Sequence, residues 1–197
     1  SKAALGVFFP RYCIPGPEPD TLAKWDELTR RTPCAGIGGV DAHALRVKLA
    51  GIPFIIHPYR ALFRAIVTHI ILPEPLTGDF ISDKARVLGA LRQGSCYIAN
   101  WEFGRPSKFA FQASHRRGVT GMGGRVQLED APRLEVSLPW ARGAEIRLLK
   151  DGRALKKART RTLRWNVSER GVYRIEVHRR RMFRWRPWIY SNPIAVE

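Results

Sequence analysis

Two hydrophobic periods divide this chain, one near 3.6 residues up to about position 94 and one of two residues beyond it. The first is the period of a helix with one buried face, the second that of a half-buried strand. Residues 11–20, rich in proline, are predicted as a loop. Asp20 suits a helix N-cap, and Leu22, Trp25 and Leu28 recur on one side of the next stretch, so a helix is predicted over residues 20–32, stopped by Pro33. Residues 34–41, CAGIGGVD, read as a short buried strand with tight glycines, and residues 42–51 as a further helix closed by Gly51. Over residues 59–72, Arg60, Arg64 and Thr68 form a polar stripe and Leu62, Phe63, Ile66 and Ile70 an apolar face, which predicts another helix. One more is predicted from Ser82, as N-cap, to Gly94.

Beyond Gly94 the alternation takes over. Strands are predicted at residues 95–100 and 108–114. More are predicted around Leu134, Val136 and Leu138, around Ile146 and Leu148, around Leu163, Trp165 and Val167, around Tyr173, Ile175 and Val177, and at the final WIYSNPIAV. Asp151-Gly152 is a hairpin turn by composition. Short strands at this spacing predict a small antiparallel β-sandwich.

Charge changes the picture. The net charge is +17, and residues 102–197 hold 22 Lys and Arg against 9 Asp and Glu, whereas residues 1–101 hold 12 against 8. A basic C-terminal half favours anionic partners. No apolar run reaches the roughly 20 residues of a membrane-spanning helix. Cys13, Cys34 and Cys96 are far apart and form no CxxC pair, so they are expected to be ordinary thiols in a reducing compartment, the cytoplasm being favoured. The chain opens on serine with no charged-then-apolar leader, which suggests a processed form or a fragment.

The candidate chemistry lies in residues 38–44, GGVDAHA. Two residues apart on a strand, Asp41 and His43 share a face. A carboxylate oxygen and an imidazole nitrogen suit Zn²⁺, Mn²⁺ or Fe²⁺. A capping Asp followed by a structural His is the alternative for so short a motif.

The stretch GIGGVDAHA resembles the last metal-binding motif of the PHP (polymerase and histidinol phosphatase) superfamily, a strand ending in Asp-x-His. DKARVLGALRQGSCYIAN, GVYRIEV and RPWIYSNPIAV resemble the segments after some PHP barrels, so the resemblance spans most of residues 20–197. It implies an α+β chain: residues 1–52 as the last βα element of an incomplete PHP-type α/β barrel, residues 53–94 as a helical connector, and residues 95–197 as the basic β-sandwich. It also implies a phosphate-ester substrate and a divalent metal in the complete protein, with Asp41 and His43 as metal ligands and water as the nucleophile. The His-x-His that opens a PHP site is absent from the sequence, and a catalytic zinc site needs about three protein ligands. The expectation is a C-terminal portion of a metal-dependent phosphoesterase, inactive by itself and with no metal of its own.

His57 is expected at a strand end, His69 at a core edge, and His115 and His178 at the surface. GMGGRV, residues 121–126, lacks the Lys-Ser/Thr of a P-loop and reads as a turn. The densest cationic run, HRRRMFRWRPW, places Arg179, Arg180, Arg181, Arg184 and Arg186 among Phe183, Trp185 and Trp188. A solvated hairpin is the favoured reading. Contact with nucleic acid, with an anionic membrane surface or with the barrel's substrate are the alternatives. A basic β-sandwich that binds nucleic acid or another polyanion is thus the second functional expectation.

Overall fold

Alternating apolar side chains assemble two facing sheets. The computed structural model describes residues 16–49, 51–56, 58–140, 142–181 and 183–197. The larger sheet runs β10 (Arg153–Ala158), β9 (Ala144–Lys150), β12 (Gly171–Arg181), β13 (Arg184–Ser191), β4 (Cys96–Asn100) and β3 (Ile66–Ile70), each antiparallel to the next. β14 (Ile194–Val196) pairs with the start of β12 and runs parallel to β7 (Arg125–Val126). The smaller sheet is β11 (Thr162–Asn166), β8 (Arg133–Ser137), β5 (Ala110–His115) and β6 (Gly118–Gly121). Ile146, Leu148, Ile175, Val177, Trp188 and Ile189 from one sheet meet Phe111, Ala113, Leu134, Val136 and Leu163 from the other in a single core. Burying each of the larger aliphatic side chains contributes about 1.5–3 kcal/mol. Asp151 and Gly152 make the β9–β10 turn, both at positive φ, as a two-residue hairpin of this hand requires.

The outer face of the larger sheet is polar where β12 exposes its second register, Arg174 and Glu176, and it is covered there by α1 (Pro19–Arg31). α3 (Phe80–Gln93) starts at Asp79, whose carboxylate accepts from Ser82 N at 2.8 Å, and ends at Gly94 with φ 75°. The cap is thus Asp79, not Ser82.

The barrel remnant and helical connector expected before residue 95 are not shown among the described residues, which are mostly β. Residues 45–56 fold as a hairpin of β1 (Leu45–Leu49) and β2 (Ile52–Ile56), not a helix, with Gly51 in its turn. Leu-Arg-Val-Lys-Leu satisfies a two-residue period as well as a helical one, and the hairpin supplies the partner that decides it. In residues 59–72 only α2 (Tyr59–Leu62) is helical; the β-branched run after it is β3, paired with β4 from Ile66↔Asn100 to Ile70↔Cys96. Branched side chains at Ile66, Val67, Thr68 and Ile70 favour the strand once a neighbour is available. Residues 33–44 form no ladder and run as an irregular segment instead of a buried strand.

Candidate functional site

Residues 33–44 are fastened to the fold at three points. Trp25, on α1, donates its indole N–H to Cys34 O at 2.9 Å. Asn192, between β13 and β14, accepts from Gly36 N at 2.7 Å and donates to Gly36 O at 3.0 Å. Thr68, on β3, accepts from Gly38 N at 2.9 Å. The glycines permit this close approach. A Cβ on Gly36 would lie 2.6 Å from the Trp25 ring, and one on Gly38 would lie 2.6 Å from Ile98 and 2.8 Å from Ile66.

α1 is itself held by a buried chain of charges. Arg174 donates to both carboxylate oxygens of Asp26, at 2.5 and 2.7 Å, and to Glu176 at 2.7 Å; His178 lies 3.3 Å from the other Glu176 oxygen. Burial pushes the Glu176 carboxyl up, but His178 and Arg174 outweigh it and hold it below the usual range.

Beyond the Gly38 anchor the chain turns outward. Asp41 takes φ 46°, uncommon outside glycine but tolerated by Asp. The Asp41 side chain is 94% exposed and that of His43 80%. His43 Nδ1 lies 2.9 Å from Asp41 O and 3.5 Å from Asp41 Oδ1. A carbonyl oxygen only accepts, so this contact uses Nδ1 as the donor, and Nε2 has no hydrogen-bond partner among the described residues. The two donors are therefore brought together, but no cluster of three or more His, Cys, Asp or Glu that could hold a metal exists among the described residues. The donor types fit a share of a divalent site and do not complete one.

Behind the segment a cavity of about 320 Å³ has Leu22, Trp25, Ile37, Ile66, Ile98 and Tyr190 in its lining. Burial pushes the Tyr190 hydroxyl far above its usual range, and no charged side chain of a described residue lines the space. It offers shape and no acid–base group.

The arginines of residues 179–186 divide. Arg179 is structural: its guanidinium lies over Trp140 and Trp188, at 5.6 and 5.1 Å from the ring centroids, and donates to Phe103 O. Arg180, Arg181 and Arg184 are exposed and Arg186 is half-buried. Arg181 donates weakly to Glu102 O at 3.4 Å.

His69 sits on β3 rather than on a helix. It stacks on Tyr97 at 4.5 Å, its Nε2 accepts from the Trp101 indole at 2.8 Å, and burial lowers its pKa. His115 and His178 are half-buried, not exposed; His115 Nε2 is 3.0 Å from Thr120 Oγ1. His57 and Cys13 lie outside the described residues. Cys34 and Cys96 are free thiols. GMGGRV spans the turn expected, residues 122–124, together with the end of β6 and all of β7. No helix among the described residues is long and apolar enough to cross a membrane.

The anchors Trp25, Asn192 and Thr68 and the Asp26–Arg174–Glu176 chain carried no sequence signal beyond the alternation that put Arg174 and Glu176 on the outer face. Comparison with protein-family models, with curated proteins and with solved structures finds no match.

Proposed function

We propose that Asp41 and His43 are two ligands of a divalent-metal site of the PHP phosphoesterase kind, and that its remaining ligands come from polypeptide outside the described residues. The observation that carries the reading is the exposed pair itself. His43 Nδ1 lies against the Asp41 carbonyl and carboxylate, Nε2 has no partner among the described residues, and both side chains are open to solvent. Apart from their contact with each other, neither side chain makes a hydrogen bond or ion pair with a described residue. The β1–β2 hairpin, which starts two residues after His43, supports the same reading. It is a two-stranded sheet by itself, with Ile52 68% exposed, and such hairpins are marginal in water without a packing partner. Polypeptide that covered the hairpin would stand beside the ligand pair.

Asp41 would bind through carboxylate oxygen and His43 through Nε2, with Zn²⁺, Mn²⁺ or Fe²⁺ as the ions suited to that pair. A divalent ion held there would supply charge stabilisation and a lowered water pKa for attack on a phosphate ester. The described residues by themselves are expected to be inactive, because a catalytic site needs about three protein ligands.

The test is hydrolysis of p-nitrophenyl phosphate and of bis-p-nitrophenyl phosphate by the complete natural protein with Mn²⁺. Asp41→Ala and His43→Ala should each lower kcat/KM about 100-fold or more with unchanged circular dichroism. Activity that is metal-dependent but indifferent to both substitutions would remove this pair from the site.

A further inference from the structure

We propose that the tip of the β12–β13 hairpin is a binding finger for single-stranded nucleic acid, with Phe183 as its stacking residue and Arg180, Arg184 and Arg142 as its phosphate contacts. The finger does not depend on the metal site.

The tip combines two unusual features. Arg181↔Arg184 is its last rung, so the connection is two residues long. Such connections call for Asn or Gly, because they need positive φ. Here Phe183 holds φ 66° with its side chain 92% exposed, more than any other exposed large hydrophobic residue described. Neither the strained backbone nor the exposed ring serves the core. Strain kept without a folding benefit points to a partner.

The surroundings say which partner. From residue 177 to residue 196 the sequence has no Asp or Glu. Arg180 N donates to Gly143 O at 2.8 Å, which brings the loop carrying exposed Arg142 against the finger. Nearby acids are already engaged: Glu145 by Arg147 and Arg159, and Glu176 by Arg174 and His178. Arg142, Arg180, Arg184 and Arg186 make no ion pair with any described residue.

Strand geometry then lays the cations along a line. Arg180 faces Trp185 across the ladder, on the outer face, where the Arg159 guanidinium lies 5.1 Å from the Trp185 ring. On that same sheet β10 puts Lys157 opposite Arg147. Cations and two aromatic rings thus run from the tip down one flank. A flexible polyanion can follow that track, and its unpaired bases can stack on Phe183 and on the open side of Trp185. A bilayer is a plane and would meet the tip alone, where one ring is a weak anchor.

The probe is fluorescein-labelled dT20, read by fluorescence anisotropy at 50 and 200 mM NaCl. Micromolar binding that weakens with salt is expected. Phe183→Ala should weaken it about 5-fold or more, in line with one lost stacking contact. Arg180→Ala with Arg184→Ala should lower the salt slope by about 1.4, from two lost phosphate contacts. Arg153→Ala, on the β9–β10 turn side, should change neither. Thermal unfolding should be the same for all, since none of these side chains is buried. Equal affinity for Phe183→Ala and the parent chain overturns the stacking role. Absence of dT20 binding at 50 mM NaCl overturns the proposal, and binding only to phosphatidylserine vesicles replaces it with a membrane contact.

Discussion

Asn192 grips both backbone polar groups of Gly36, its Oδ1 accepting from Gly36 N at 2.7 Å and its Nδ2 donating to Gly36 O at 3.0 Å. The same amide nitrogen donates to Cys96 O at 2.9 Å, so a nearly inaccessible side chain ties the segment before Asp41 to β4. Asn192→Ala strands these backbone groups, and a buried polar group left unpaired costs about 1–3 kcal/mol. Urea denaturation should show a loss of about 2–3 kcal/mol. Hydrogen exchange of the Gly36 amide should accelerate as well. An unprotected Gly36 amide in the parent chain would contradict the clamp.

Gly38 and Gly39 are predicted to differ sharply. Gly38→Ala drives a methyl into Ile98 and Ile66, whereas a methyl at Gly39 meets nothing within 4 Å. Overpacking costs about 1–3 kcal/mol and an unhindered surface change about 0.5 or less. Denaturation midpoints of the two variants measure the contrast directly.

The two acids one residue apart on α1 should behave oppositely. Asp26 meets Arg174 in a buried two-point contact, so Asp26→Ala leaves a buried guanidinium short of a partner, at a cost of about 3–5 kcal/mol. Glu27 pairs with Lys24 and Arg31 at the surface, where such pairs contribute about 1 kcal/mol or less. If Glu27→Ala proves the more harmful in chemical denaturation, α1 is not held as described.

His69 makes stability depend on pH. Burial lowers its folded pKa below 6.5, and the Trp101 N–H aimed at Nε2 opposes a second proton. Tyr97 stacks on the ring, and Arg105 lies over Trp101 at 4.5 Å. Above pH 6.5 both states are neutral and this contribution is complete. As pH falls below 6.5 the unfolded chain takes the proton first, so stability drops until the folded pKa is passed. His69→Phe should flatten that part of a pH series of denaturation midpoints while leaving the carboxylate-dependent loss at lower pH.

Much of the sandwich was legible because alternation and turn chemistry are local. Leu134 and Val136, Tyr173 and Val177, and the Asp151-Gly152 turn all lie where the two-residue period put them. β3 was not legible. Arg60, Arg64 and Thr68 satisfy a helical stripe, and only pairing with residues 96–100 converts the second half of that stretch to strand. The ligand pair was legible as a motif; its mounting was not. Gly36 is held by a residue 156 positions away and Gly38 by one 30 away, separations that no local period encodes. The packing of Arg179 was not legible for the same reason, since Trp140 and Phe103 reach it from other parts of the chain.

The most direct test of the ligand pair is a Mn²⁺ titration of the complete natural protein monitored by NMR. Paramagnetic broadening should centre on Asp41 and His43, with the His43 ring signals lost first, and should vanish from that segment in Asp41→Asn and His43→Ala. Broadening spread over the surface carboxylates, with none concentrated at residues 41–43, would contradict the central claim.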